Sequence, residues 1–167
     1  SNEFRFIHEN FGSNFRLTEI QSAIGRIQLR NISKINKIRT KNAEILLETL
    51  SQIECVRIPL PEKKFKHGWY KFYCYLNIDN LKEGWNREKI IKEINKAGYP
   101  AFSGGCSEIY LENCFLKNNI SPNKRLKNAK LLGETSLMFV VHNTITIPKM
   151  KEYAEFIGRI LIFAMKK

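Results

Sequence analysis

Apolar residues recur at helical spacing along the first third of the chain. Ile20, Ala23, Ile24 and Ile27 stand at i, i+3, i+4 and i+7, and the run continues through Ile32, Ile35, Ile38, Leu46, Leu47, Leu50 and Ile53. A period near 3.6 predicts an amphipathic helix. Thr18 and Gln21 have the S/T-x-x-E/Q spacing of a capping box, which places its start near residue 19. A run of about 35 residues is long for one globular helix. Asn31 and Ser33, both poor helix formers, mark where it would kink or split in two.

The pattern then shortens and alternates. Val56-Arg57-Ile58 predicts a short strand before the turn signal Pro59-Leu60-Pro61 and a charged connector at 62–66. Residues 68–78 give the clearest strand, since Trp69, Tyr70, Phe72, Tyr73, Tyr75 and Ile78 suit a half-buried pleated surface. Asn86 caps a predicted helix with Ile90, Ile91 and Ile94 on one face, ending before Gly98. Pro100-Ala101-Phe102 is extended and feeds a tight turn, Ser103-Gly104-Gly105-Cys106-Ser107, with a short helix at 108–112. Residues 116–124 are polar, contain Pro122 and predict a surface loop. A helix at 128–133 and a buried strand at 137–141 follow. Pro148 opens a last helix whose apolar face carries Tyr153, Phe156, Ile157, Ile160 and Phe163. Helices between a few short, non-consecutive strands predict an α+β fold, a sheet layer with helices packed on it.

Composition narrows the class. The 167 residues, 43% hydrophobic and 26% charged, suit one domain that buries roughly 70% of its unfolded surface. No apolar run approaches the ~20 residues of a membrane span, and no signal-peptide core stands at the N-terminus. The chain opens with Ser1-Asn2-Glu3 and no initiator Met, so a fragment of a longer protein is expected. Cys55, Cys74, Cys106 and Cys114 form no C-x-x-C pair and no zinc pattern with histidines. They read as free thiols in a reducing, cytoplasmic compartment. The formal net charge of +12 raises nucleic-acid binding, but the lysines are dispersed and no basic block carries interleaved aromatics. A phosphorylated, acidic small molecule suits that charge as well.

Candidate chemistry gathers at the start of the first helix. Asn14 and Arg16 lie just before it, where free backbone N–H groups and the positive end of the helix dipole favour an anion. The competing reading is an ordinary turn with both side chains solvated. The turn at Gly104-Gly105 would let a ligand approach the backbone closely, or is a plain loop. Cys106 has no His or Asp near it in sequence to activate it as a nucleophile.

Several stretches resemble one family in one order. GSNFRLTEIQSAIGRIQL at 12–29 is similar to the G-x-N-x-R segment and following helix of the DegT/DnrJ/EryC1/StrS aminotransferases, pyridoxal-phosphate enzymes that usually aminate nucleotide-linked keto-sugars. Arg39, Asn42 and Ala43 fit the family's helix, and His67-Gly68-Trp69-Tyr70 resembles its H-x-x-Y strand start. Residues 104–112 resemble its G-x-C-x-E-I-Y-L-E block, and 128–142 its late N-A … S-L-x-F-x-x-H stretch. Ser13 and Phe15 depart from the pattern, where the family often has aromatic residues.

The resemblance implies a small C-terminal domain of the fold-type I aminotransferase architecture, with a short, mainly antiparallel sheet packed against helices, one of them long and N-terminal. Residues 1–17 would be a linker and cofactor-phosphate turn, and 18–167 the domain itself. The large domain, with the Schiff-base lysine and the aspartate that pairs with the pyridine nitrogen, would be missing, leaving this piece catalytically inactive alone. It implies Asn14 as a ligand of the pyridoxal-phosphate phosphate of the neighbouring subunit in a homodimer. Arg16 and His142 would hold the carboxylate of an amino-acid donor or neighbouring substrate groups, a guanidinium gripping a carboxylate by two parallel hydrogen bonds. For Arg16 the alternative is a surface ion pair, and for His142 a strand-capping role. His67 is either structural or substrate-facing. The rival classes are a non-catalytic binding domain of the same fold and a basic nucleic-acid-binding module.

Overall fold

The structure is a computed structural model that describes residues 8–13 and 15–166. The first helix, α1 (Glu19–Leu50), is one unbroken rod of 32 residues, about 48 Å long at 1.5 Å per residue. Its capping box forms as the spacing predicts: the Gln21 N–H donates to Thr18 Oγ1 (3.3 Å) and the Thr18 N–H to Gln21 Oε1 (2.9 Å). No break occurs at Asn31, because its amide donates back to the Ile27 carbonyl (3.1 Å) and is satisfied on the helix itself. The C-terminal half buries Asn42, Ala43, Leu46 and Leu50. Residues 19–34, Ser22 apart, are exposed, so the apolar face at Ile20, Ala23, Ile24 and Ile27 packs on nothing among the described residues.

Four antiparallel strands form one sheet: β1 (Val56–Arg57), β2 (Phe72–Leu76), β3 (Ala101–Phe102) and β4 (Ser136–Phe139), in the order β1-β2-β4-β3. The register pairs Phe72 with Phe139 and Cys74 with Leu137, and Ala101 with Phe139. Side chains alternate along each strand, so Phe72, Cys74, Leu76, Leu137, Phe139 and Ala101 all face the core. The helices α2 (Arg87–Lys96) and α5 (Ile147–Ala164), with the second half of α1, cover that face. Ile90, Ile94, Met150, Ile157 and Leu161 complete the core. The other face carries Tyr73, Met138 and Phe102 in one row across three strands, half-buried or exposed.

Several elements differ from the periodicity. The strand expected at 68–78 begins only at Phe72, because Trp69 adopts φ 45, a left-handed conformation that ends extended pairing. Its ring stacks on Phe72 (5.8 Å) and packs on His67 (4.3 Å), which holds the turn. The expected loop at 116–124 begins inside a helix, α3 (Asn113–Lys117), preceded by a 3-10 turn at Ile109–Leu111. The N-terminal segment docks there: the Cys114 N–H donates to the His8 carbonyl (2.9 Å), the His8 N–H to Glu112 (2.9 Å), and Phe11 meets Phe115 edge-on. The helix α4 (Lys127–Thr135) leads directly into β4. Phe163, expected on the buried face of the last helix, is exposed and lies against Trp85 instead. No described helix is long and apolar enough to cross a membrane.

Candidate functional site

A concavity of about 400 Å³ opens on the outer face of the sheet, lined by His67, Tyr70, Lys71, Tyr73, Gly104, Gly105 and Met138. Its floor follows from the register: Tyr73 on β2 and Met138 on β4 are paired residues whose side chains point away from the core. One wall is the His67–Lys71 turn. The Trp69 N–H donates to His67 Nδ1 (3.0 Å), so the neutral ring carries its proton on Nε2 as a donor.

The opposite wall is the glycine turn. Gly104 has φ +100, and a Cβ there would lie 3.1 Å from Tyr73 Cε1 and 3.3 Å from Ser136 Oγ. A side chain there is strained by the backbone and would crowd Tyr73 and Ser136. The Ser136 hydroxyl donates to the Ser103 carbonyl, tying the turn to β4. Burial pushes the Tyr73 phenol up, and the Gly105 amide beside it opposes that rise. Among the described residues the lining contains no carboxylate. It offers donors, a lysine and aromatic surface, which suits a ligand combining anionic and apolar parts.

The sequence-predicted residues fall in three places. Asn14 lies outside the described residues. Arg16 is exposed, ahead of the α1 N-terminus. His67 lines the concavity. His142 is exposed where the chain leaves β4, its Nδ1 2.9 Å from Thr144 Oγ1. Asn42, fully buried on α1, donates to the His142 carbonyl (3.0 Å) and the Ile145 carbonyl (3.3 Å). From the start of α1 to Asn42 is about 35 Å along the helix. The structure therefore does not bring Arg16 and His142 together within one chain.

Sequence reasoning missed Tyr70, Lys71, Tyr73 and Met138, having read the aromatic strand as sheet packing. The signal was present: positions 71, 73 and 75 alternate with the core positions 72, 74 and 76. Cys106 is exposed, with Sγ 3.4 Å from Glu112 Oε1. Desolvation and that carboxylate hold its pKa up, keeping the thiol protonated and unreactive.

An α+β module of this arrangement is one that solved aminotransferases share. The match to the family model spans residues 1–154, and the chain belongs to the DegT/DnrJ/EryC1/StrS aminotransferase family. It is similar over 98% of its length to the solved aminotransferase of Psychrobacter cryohalolentis, at 40% identity and TM-score 0.84, covering 44% of that chain. The GDP-4-keto-6-deoxy-D-mannose-3-dehydratase of E. coli, solved with bound hydrated PLP, shares the fold at 22% identity and TM-score 0.64, over 95% of this chain and 38% of that one. An uncharacterized protein of Methanocaldococcus jannaschii is 35% identical over 85 residues, 51% of this chain and 22% of that protein. The chain spans less than half the length of each.

Membership points to pyridoxal phosphate as the cofactor of the full-length enzyme. A second hollow lies between Lys37, Lys41 and residues 143–147.

Proposed function

We propose that this chain is the small-domain part of an enzyme that transfers an amino group from an amino-acid donor, glutamate, to a nucleotide-linked keto-sugar. In this reading residues 1–17 form the linker and cofactor-phosphate turn, and 18–167 the small domain. The Schiff-base lysine lies in a large domain outside these residues. Asn14 serves the cofactor phosphate, while Arg16, His67 and His142 serve the substrates.

The observation that carries the reading is the meeting of two distant motif blocks at one hollow. His67–Tyr70 and Gly104-Gly105, more than thirty residues apart in sequence, both line a largely apolar concavity that carries Lys71 and, among the described residues, no carboxylate, a lining compatible with an anionic sugar substrate. The distance between Arg16 and His142 supports a homodimer in which the N-terminal turn of one subunit completes the cleft of the other. Four free cysteines among the described residues suit the reducing cytoplasm.

Absorption spectroscopy tests the proposal. The longer natural protein mixed with pyridoxal phosphate should show the band of a lysine aldimine in the near ultraviolet or visible, and the 167-residue chain should not. A stoichiometric aldimine in the chain alone would overturn the division of labour proposed here.

A further inference from the structure

The segment entering α1 does more than lead into it. His8, Glu9 and Phe11 lie along α3: the Cys114 N–H donates to the His8 carbonyl (2.9 Å), Asn113 and Lys117 donate to the Glu9 carboxylate, and Phe11 meets Phe115 edge-on at 5.1 Å. At the centre of this dock stands Glu112, whose side chain is only 19% exposed. Its Oε2 accepts the His8 N–H (2.9 Å), and its Oε1 accepts the thiol of Cys106 (3.4 Å). The His8 N–H does most to hold the Glu112 carboxyl below its ordinary pKa. One carboxylate thus binds two segments far apart in sequence.

Cys106 closes the glycine turn that walls the concavity. The turn is fixed at its other end, where the Ser136 hydroxyl donates to the Ser103 carbonyl. Between these anchors Gly104 packs on Tyr73, and the Gly105 amide faces the Tyr73 phenol. Gly104, Gly105 and Tyr73 all line the concavity. We propose that Glu112 is a positioning residue for this wall: its carboxylate couples residues 8–11 to the glycine turn, so that docking of the segment fixes the turn and undocking frees it. A carboxylate with a donor on each oxygen is held in one orientation, and one that loses the His8 N–H swings toward solvent and leaves the thiol. A dock that served stability alone would need no contact with Cys106, since Glu9, Phe11 and the His8 carbonyl already hold the segment to α3. The coupling is made within this chain and holds whatever ligand the concavity takes.

Cys106 is exposed while Cys55, Cys74 and Cys114 are buried. Alkylation of the 167-residue chain by iodoacetamide, followed at Cys106 by mass spectrometry, therefore reports on the turn. His8→Pro removes the N–H that Glu112 accepts, whereas His8→Ala removes the ring and keeps the N–H. Relative to His8→Ala, His8→Pro should speed alkylation of Cys106 about fivefold, because the carboxylate that keeps the thiol protonated moves away. Amide exchange at Gly105 should quicken with it, and the urea midpoint should stay the same, since position 8 lies outside the core. Glu112→Gln leaves a single oxygen to serve two donors, so in that background the difference between proline and alanine at position 8 should vanish, the non-additivity of a link carried by Glu112. Equal alkylation rates for His8→Pro and His8→Ala would overturn the coupling. So would a difference that persists with Glu112→Gln, or one that merely tracks a fall in the urea midpoint. A chain lacking residues 1–11 gives an independent comparison: Cys106 should again react faster, and a rate as slow as that of the natural chain would overturn the coupling too.

Discussion

Gly104 and Gly105 are neighbours with different constraints. Gly104 combines a positive φ with contact to Tyr73 and Ser136, while a Cβ at Gly105 meets nothing within 4 Å. Gly104→Ala should therefore cost about 1–3 kcal/mol from the strained backbone alone, and Gly105→Ala much less. Urea denaturation of the two variants measures the difference, and equal midpoints would refute it. A second residue-scale expectation concerns acid. Arg125, then Tyr110, hydrogen-bond Glu108 and pull its pKa from 4.5 to about 2. A carboxylate lowered in the folded state contributes stability above its ordinary pKa, and that contribution disappears as pH falls from about 4.5 through about 2. Arg125→Gln should flatten the loss of stability across that window without altering its slope above pH 6. Because Glu108 and Arg125 meet solvent, the effect is a change in slope and not a collapse.

At the scale of elements, α1 is two helices in energetic terms. Its second half is bound to α5 and the core, and its first half relies on its own hydrogen bonds and its cap. Thr18→Ala should fray the first turns, lowering helical ellipticity and hydrogen-exchange protection near residues 19–25, with little shift in the global unfolding midpoint. Leu46→Ala, at a fully buried position, should cost about 2–5 kcal/mol of global stability. A Thr18→Ala variant that lost as much would mean that the first half is coupled to the core. Periodicity found α1, its cap, α2, α5 and the buried strand β4, because local spacing and capping chemistry act within a few residues. It misjudged the start of β2, since Trp69 enters a left-handed conformation only because Phe72 and His67 are there to hold its ring. It found the apolar face of the first half of α1 but could not tell that this face lies exposed among the described residues.

For the whole molecule, charge and exposed apolar surface oppose each other. A net charge of +12 keeps copies apart at low ionic strength, and salt at 1 M shortens the Debye length to about 3 Å. Freed of that repulsion, the exposed stripe at Ile20, Ile24 and Ile27 should drive association. Sedimentation should show a mass that rises with salt for the natural chain and stays monomeric for Ile24→Glu. The candidate site was legible only in part. His67 and the glycine turn stand out by residue type, but nothing local says that they share a hollow or that Lys71 and Tyr73 line it. The sequence by itself determined the four longer helices, the capping box, the α+β class and the family, because each is written in short-range spacing or in ordered motifs. Only the tertiary structure decided which faces are buried, that the β2–β4 register lays Tyr73 beside Met138, and that Arg39 stands over the Tyr70 ring. Those depend on contacts between residues dozens of positions apart, which no local pattern encodes.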